Sequence, residues 1–368
     1  MSAVIHPPTS TAMDVAFWIE PSMLAREAVF VRHLIMGLKM EGQQVTFLAP
    51  QELDFSQLPT LGSRTLHYRW HGWERLPVLQ KLRLNALARE LARNPPDVLI
   101  VWGSAEASIL HTLAQMLPTL PIILCCWDAS ELFGQAASIE TIRHVVVFSE
   151  TLQGRVPATY PHPVTVVHPG VYVEENAACF DVPGQLPCLV SLDPLADIAS
   201  YECLLRACRM IADAGHDFLL FAYDTGKEEY NIWQLAESLK LLDRLSFVPF
   251  QQDAEPLLMH GDVYIHVLPS SRVHYRTLEA MARGLAVVTC ANHGADYLHD
   301  NQTARIVGPQ TAEAWRDALL QVLTDHARTT QLAKRGQQFV RENHSMGRTL
   351  EQFGSICRQA AGLALPLR

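Results

Sequence analysis

Short apolar runs, typical of buried strands, alternate along the chain with longer segments in which apolar residues recur every three or four positions. The first such unit contains the run 15–19, a helix predicted over 30–40 and the run 45–49. The same order returns in the second half, where a helix predicted over 201–214 follows the run 188–193. Because strands that alternate with helices favour parallel sheets, the pattern predicts an α/β fold.

One loop in the second half stands out by its position between two such elements. The apolar run 262–268 predicts a buried strand, which Pro269-Ser270-Ser271 ends. A helix predicted over 277–283 stops at Gly284, and 285–288 reads as the next buried strand. A loop at the carboxyl end of a strand and the amino end of a helix is where open α/β sheets bind ligands. The helix N–H groups and the helix dipole favour an anion there.

This stretch resembles the signature of the family 4 glycosyltransferases (glycosyl transferases group 1) in Pro269-Ser270, Leu278-Glu279-Ala280-Met281-Ala282, Gly284 and Val287-Val288. Members of that family are retaining sugar-nucleotide enzymes of the GT-B fold. The resemblance implies two Rossmann-like, doubly wound α/β domains that face one another across a cleft. It also implies a C-terminal helix that crosses back to the first domain.

The predicted organisation follows the family's order along the chain. It comprises a disordered tail at 1–12, an acceptor domain at 13–173, a linker at 174–186, a donor-nucleotide domain at 187–345 and a crossing helix at 346–368. The tail lacks the apolar core of a signal peptide, and no run reaches the roughly 18 apolar residues of a membrane span. We therefore expect a cytoplasmic protein. Peripheral association with the inner membrane face stays open, since relatives often act on lipid-linked acceptors.

Composition narrows the classes of partner. The 368 residues suffice for two domains, and 49% hydrophobic with 18% charged residues indicates sizeable cores. The net charge of −9, without a concentrated basic tract, makes nucleic acid an unexpected partner. The eight cysteines form no C-x-x-C pair, which argues against a zinc ribbon or a redox motif. No Asp-x-Asp motif of the metal-using glycosyltransferases is present, so we expect no metal.

The chain departs from the family pattern at three places outside the central loop. The loop predicted after the first strand, 20–27, has no glycine where relatives are glycine-rich. Asp128 is kept near the position of the donor sugar, but Trp127 stands where relatives have a histidine, unless the alignment is shifted by one residue. Asp193 and Ala199 stand where relatives carry an arginine and a lysine that neutralise the donor diphosphate. An acid at such a position would repel phosphate.

The fourth departure lies in the central loop. Relatives carry two glutamates separated by seven residues, and Glu279 matches the second, which contacts the donor ribose. Ser271, or Val273 if the loop has a two-residue gap, stands in place of the first. The resemblance also assigns Leu278 to the donor site, and Phe250 to a segment that frames the nucleotide base.

The central loop is basic instead of acidic. Arg272, His274 and Arg276 lie within five positions of one another. We predict that Arg272 and Arg276 replace the missing cations of the diphosphate site, because the planar arginine fork can bind phosphate oxygens at two points. The alternative is a solvated basic loop without a ligand.

Two functions remain open at this point. The first is retaining transfer of a sugar from a nucleotide-diphosphate donor, with an altered diphosphate site, with Arg272 and Asp128 as catalytic residues and no separate cofactor. Its acceptor is unknown and could be a glycan, a lipid-linked saccharide or a protein. The second is an inactive pseudo-glycosyltransferase that serves as a binding subunit, as the partner of an active homologue or as a homo-oligomer.

Overall fold

The chain folds into two compact α/β units. Unit 1 comprises Met1–Pro169 and Met346–Arg368, and unit 2 comprises Gly170–Ser345. The computed structural model describes residues 12–50, 63–68, 77–102, 107–131, 138–175, 179–182, 184–193, 197–224, 229–249 and 254–363.

Unit 1 is built on a parallel sheet of seven strands. In chain order the strands are β1 (Asp14–Ile19), β2 (Gln44–Pro50), β3 (Arg64–Tyr68), β4 (Val98–Trp102), β5 (Ile122–Cys126), β6 (Ile142–Val147) and β7 (Val164–Val166). They lie in the order β3-β2-β1-β4-β5-β6-β7. Every residue of β4 and β5 is buried, as expected for central strands of a parallel sheet covered on both faces.

The helices of the first part of unit 1 are α1 (Pro21–Met40), α2 (Pro77–Arg93), α3 (Ala107–Met116) and α4 (Glu150–Gln153). The sequence-based expectation of a loop at 20–27 was wrong, because α1 begins immediately after β1. Proline at the first helical position suits a helix start, and good helix formers follow it. The helix is irregular only at Glu27, whose φ and ψ of −109° and 19° mark a kink.

Unit 2 is built on a parallel sheet of six strands. These are β8 (Cys188–Ser191), β9 (Leu219–Asp224), β10 (Leu245–Pro249), β11 (Val263–His266), β12 (Ala286–Cys290) and β13 (Arg305–Val307). Their order is β10-β9-β8-β11-β12-β13. From β8 the chain adds β9 and β10 on one side, and it then returns to add β11, β12 and β13 on the other side. The order therefore reverses between β8 and β11, which are hydrogen-bonded neighbours. That reversal is the switch point at which doubly wound sheets bind ligands, outside the carboxyl ends of the strands.

Among its described residues, unit 2 has six helices: α5 (Ile198–Asp213), α6 (Glu229–Ser238), α7 (Glu255–His260), α8 (Tyr275–Ala282), α9 (Ala312–Thr324) and α10 (His326–Asn343). Gly284 follows α8 with a φ of 74°, the left-handed conformation that a glycine stop requires, so the predicted end of this helix is confirmed. Helix α8 begins at Tyr275, two residues before the predicted start.

The last helix, α11 (Met346–Ala360), belongs to unit 1 although it follows unit 2 in the chain. The ring of Phe353 stacks near Phe148 at a centroid distance of 6.3 Å, and Thr349 donates a hydrogen bond to the carbonyl of His168. Leu350 packs so closely on Gly37 of α1 that a Cβ at Gly37 would lie 2.4 Å from it. Across the described ranges, no helix combines the length and apolar composition that crossing a membrane requires.

Candidate functional site

The candidate site lies in unit 2, on the segment that joins β11 to α8. This segment leaves the sheet beside the switch point and ends at the amino end of α8. His274 occupies the N-cap position of α8, and no side chain caps the helix. The amino end of a helix carries partial positive charge, so this position suits an anionic ligand.

Five residues predicted for the donor site lie together on this segment and the following helix: Ser271, Arg272, His274, Arg276 and Glu279. All except Glu279 are partly exposed, and Glu279 is almost buried. The side chain of Leu278 is fully buried, and the assignment of this residue to the donor site stays a prediction. Phe250 lies outside the described residues.

Arg276 and Glu279 form an ion pair one helical turn apart. An Nη of Arg276 donates to Oε2 of Glu279 at 2.9 Å. The exposed fractions of the two side chains are 23% and 10%. Burial lowers the pKa of the Arg276 guanidinium, but the carboxylate of Glu279 and the phenols of Tyr223 and Tyr264 raise it, and the net direction is upward. Arg276 therefore stays a cation, and much of its charge is balanced by Glu279.

The loop before α8 is held by the turn that follows β12. The backbone N–H of His293 donates to the carbonyl of Ser270 at 2.9 Å, and Nδ2 of Asn292 donates to the carbonyl of Arg272 at 3.0 Å. Gly294 packs directly on the peptide between Ser271 and Arg272, where a Cβ would lie 2.0 Å from the Ser271 carbonyl oxygen. The loop is therefore a fixed part of the unit.

His274 is fixed from a second side. The hydroxyl of the buried Tyr297 accepts from the His274 backbone N–H at 3.0 Å and donates to the His274 carbonyl at 3.1 Å. These bonds hold the backbone at the start of α8. The half-buried His274 side chain is thus presented from a rigid position.

The side chain of Asp193, the acid at a predicted cation position, is buried and hydrogen-bonded within unit 2. Its side chain is only 5% exposed, and its carboxylate accepts from Nδ1 of His266 at 2.6 Å and from the backbone N–H of Val267 at 2.7 Å. Asp193 lies just beyond β8, and His266 ends β11. Their hydrogen bond therefore joins the two strands at the switch point.

Ala199, the other residue placed at a cation position, lies in the first turn of α5. Its backbone N–H donates to the carboxylate of Asp197, the N-cap residue of that helix, at 3.1 Å. An acidic side chain already occupies this helix terminus. That Asp193 and Ala199 stand at the positions where relatives carry the diphosphate cations stays a prediction.

Unit 1 holds Asp128, the remaining predicted residue, on the loop after β5. Its carboxylate accepts from the Ser130 backbone N–H at 2.8 Å. Trp127 is fully buried and stacks on Phe148 at a centroid distance of 4.1 Å, so it is a core residue and not a substitute for a histidine that faces a ligand.

The buried polar residues Glu131 and His266, which lie close to these positions, were not predicted from the sequence. Glu131 is 5% exposed and accepts from the backbone N–H groups of Trp127 and Asp128 at 2.6 and 3.4 Å. His266 is fully buried, and its ring lies 4.1 Å from that of His274. The available signal for His266 was a histidine within the apolar run 262–268, a position where a buried polar group needs a partner.

Comparison with known proteins adds an independent line of argument. Residues 192–325 match the family model described as Glycosyl transferases group 1. Over 284 residues, the chain is 24% identical to the lipopolysaccharide core biosynthesis glycosyltransferase LpsE of Rhizobium meliloti (strain 1021). That alignment covers 75% of this chain and 78% of the relative.

Solved structures share the fold at lower identity. A glycosyltransferase from Rickettsia africae ESF-5 has a TM-score of 0.75 at 14% identity, and the alignment covers 95% of this chain and 99% of the Rickettsia chain. Anabaena Alr3699/HepE in complex with UDP and glucose has a TM-score of 0.76 at 13% identity, and the alignment covers 94% of this chain and 100% of the Anabaena chain. Together with the two parallel sheets, these likenesses confirm the predicted GT-B fold.

Proposed function

We propose that this chain, a GT-B protein related to the group 1 glycosyltransferases, transfers a sugar from a nucleotide-diphosphate donor bound at the carboxyl edge of the second sheet. The observation that carries the proposal is the coincidence of three features in unit 2. The family match spans 192–325, the candidate loop lies within it, and that loop opens at the switch point of the sheet. Anabaena HepE, a fold neighbour, binds UDP-glucose in its own structure.

The amino end of α8 supplies the binding site for the diphosphate in this proposal. Backbone N–H groups, the helix dipole, Arg272 and His274 lie within one short segment. In glycosyl transfer the diphosphate leaves with added negative charge, so fixed positive groups beside it lower the barrier. The tight packing of Gly294 on the loop keeps those groups in place before the donor arrives.

Glu279 and Arg276 have a paired role in the same site. We assign the carboxylate of Glu279 to the donor ribose, as the family resemblance implies. Arg276 orients that carboxylate through the 2.9 Å hydrogen bond. Arg276 therefore contributes less net charge to the diphosphate than the sequence alone suggested, and Arg272 is the stronger choice for that contact.

The proposed acceptor is a saccharide of the lipopolysaccharide core class, and the proposed transfer retains the anomeric configuration. The acceptor class rests on the likeness to the lipopolysaccharide core biosynthesis glycosyltransferase LpsE, whose alignment spans most of both chains. The role of Asp128 beside the transferred sugar stays a prediction.

A non-catalytic binding subunit is the second candidate, and a specific observation favours it. The two positions that should neutralise a diphosphate hold a buried acid, Asp193, and a residue whose backbone is capped by an acid, Ala199. Neither Ser271 nor Val273, the two alternatives for the first family glutamate, adds a carboxylate. A scaffold with these changes could bind a partner without turning over a donor.

Calorimetric titration with UDP, GDP and ADP separates binding from its absence. We expect one of the three to bind to the wild-type chain, and Arg272→Ala to weaken that binding at least tenfold. Arg316→Ala is the matched control, because Arg316 lies on α9 and pairs with its neighbour Asp317. We expect this variant to bind like the wild type.

Turnover is tested by release of the nucleotide from the corresponding nucleotide sugar, with lipopolysaccharide core saccharide as acceptor. Acceptor-dependent release supports the transferase. Binding without release in the presence of acceptor supports the non-catalytic subunit, and failure of all three nucleotides to bind contradicts the donor site.

A further inference from the structure

An acid and two imidazole rings form a row from the switch point to the amino end of α8. Oδ1 of Asp193 lies 2.6 Å from Nδ1 of His266, and the ring centroid of His266 lies 4.1 Å from that of His274 at an interplanar angle of 50°. Asp193 and His266 are buried, whereas His274 is half-buried. We refer to Asp193, His266 and His274 as the histidine stack.

The hydrogen bonds of Asp193 determine which nitrogen of His266 carries the proton of the neutral ring. The backbone N–H of Val267 donates to Oδ2 at 2.7 Å, so Oδ1 is left to accept the proton on Nδ1 of His266. Nε2 is then the nitrogen without a proton in the neutral ring. This atom is buried and has no hydrogen-bond partner among the described residues. A buried polar atom without a partner indicates a role beyond packing.

The charges of the stack set how many protons it holds. If one of the two imidazoles carries an extra proton, its positive charge balances the carboxylate of Asp193 and the cluster is neutral. A second proton would put two cations about 4 Å apart, which their mutual repulsion opposes. An anion beside His274 removes that opposition, because the second positive charge then has its own counter-charge.

The other titratable groups that face the stack do not supply a positive charge for a bound anion. Tyr201 donates to the carbonyl of Asp193 at 2.9 Å. Burial, and in second place the charge of Asp193, raise the pKa values of the phenols of Tyr201 and Tyr264 and of the Cys290 thiol, so all three stay neutral. On α8, Arg276 and Glu279 form their own pair.

We propose that the histidine stack takes up one proton from solvent when the diphosphate of a nucleotide binds beside His274, and that His266 is the positioning residue that holds and charges the His274 ring. The inference rests on the proposed donor site and deepens it. The stack supplies on demand a positive charge that relatives carry permanently on arginine and lysine. Donor binding then weakens as the pH rises.

Titration calorimetry of the full chain with UDP measures this coupling. In two buffers of equal pH and different ionisation enthalpy, the difference in observed heat gives the number of protons taken up. We expect an uptake that approaches one proton, and an association constant that falls by up to about tenfold per pH unit across the range of uptake. His266→Gln should lose the uptake and flatten the pH profile. His299→Gln, a change at an exposed histidine outside the stack, should keep both. Any uptake that remains in His266→Gln reports protons taken up by the nucleotide itself.

The NMR signals of the imidazole nitrogens in the wild-type chain give a second readout that needs no variant. We expect Nε2 of His266 or the ring of His274 to gain a proton on addition of UDP. Binding of UDP with the same uptake in His266→Gln, or with unchanged imidazole signals, overturns the role of the stack and leaves the proposed function intact. Failure of both UDP and inorganic pyrophosphate to bind overturns the diphosphate site and the stack together.

Discussion

Replacement of Gly294 by alanine tests whether the candidate loop is held by close packing. The added Cβ would lie 2.0 Å from the carbonyl oxygen of Ser271, 2.3 Å from its carbonyl carbon and 2.7 Å from the nitrogen of Arg272. The loop must retreat by roughly 1.4 Å to restore ordinary contact at 3.4 Å. All three atoms belong to the backbone, so no side-chain rotation can relieve the clash.

The cost follows from the nature of that clash. Overpacking of a well-packed site costs about 1–3 kcal/mol, and we expect about 2 kcal/mol or more here because the obstacle is backbone. The retreat also strains the bonds from Asn292 and His293 to the same loop. For a unit of this size the melting temperature should fall by about 4–8 °C.

Urea denaturation of Gly294→Ala, with Gly308→Ala as the control, provides the measurement. A Cβ at Gly308 meets nothing within 4 Å, and the Gly308 backbone lies outside the left-handed region, so that variant should retain the wild-type midpoint. Gly294→Ala should also bind UDP more weakly, since the loop of Ser271 and Arg272 has moved. Equal midpoints and equal UDP affinity for the two variants would refute the reasoning.

Three further predictions concern stability. Arg276→Ala should lower the free energy of unfolding by about 2 kcal/mol, less than the loss of a partner from a fully buried ion pair, because Arg276 is partly exposed. The double variant Arg276→Ala/Glu279→Ala should lose less free energy of unfolding than the sum of the two single variants. Strict additivity in this double-mutant cycle would contradict the prediction. Thr311→Ala should cost about 1 kcal/mol in urea denaturation because its hydroxyl caps α9 by accepting from the Ala314 N–H, and Thr311→Ser should restore most of it; equal losses in both would rule out the cap. Burial lowers the pKa of His144, so the folded chain favours the neutral ring, and that stability is present above the unfolded value of 6.5 and lost as the pH falls below it. His144→Gln should therefore show a shallower fall of the urea midpoint between about pH 7 and 5; an unchanged profile would exclude His144 as a source of acid sensitivity.

Much of the second unit could be predicted from local pattern. The apolar run before Pro269, the glycine after α8 and the following apolar run predict strand, helix and strand, and each is present. Such elements are determined by residues close in sequence. The position of the loop at the carboxyl edge follows from the same local order, since strands of a parallel sheet all point the same way.

The electrostatics of the site could not be predicted in that way. Asp193 and His266 are 73 residues apart, and their contact depends on the pairing of β8 with β11. From the sequence alone Asp193 looked like an acid facing phosphate. Only the register of the sheet places its carboxylate against an internal histidine. The burial of Trp127 could not be predicted for the same reason, because it depends on Phe148 and on other aromatic rings that folding brings together.

Assignment by family position also failed where local structure overrode it. The segment after β1 was expected to be a loop because relatives have one there. Pro21 and the helix formers behind it instead start α1 at once. The local sequence was the better guide at this point.

The crystal structure of the chain with UDP tests the central claim most directly. We predict that the diphosphate lies at the amino end of α8, with an oxygen within hydrogen-bond distance of Arg272 or His274 and the ribose against Glu279. A nucleotide bound away from that loop, or saturating concentrations of UDP, GDP and ADP that all leave the loop empty, would contradict the account.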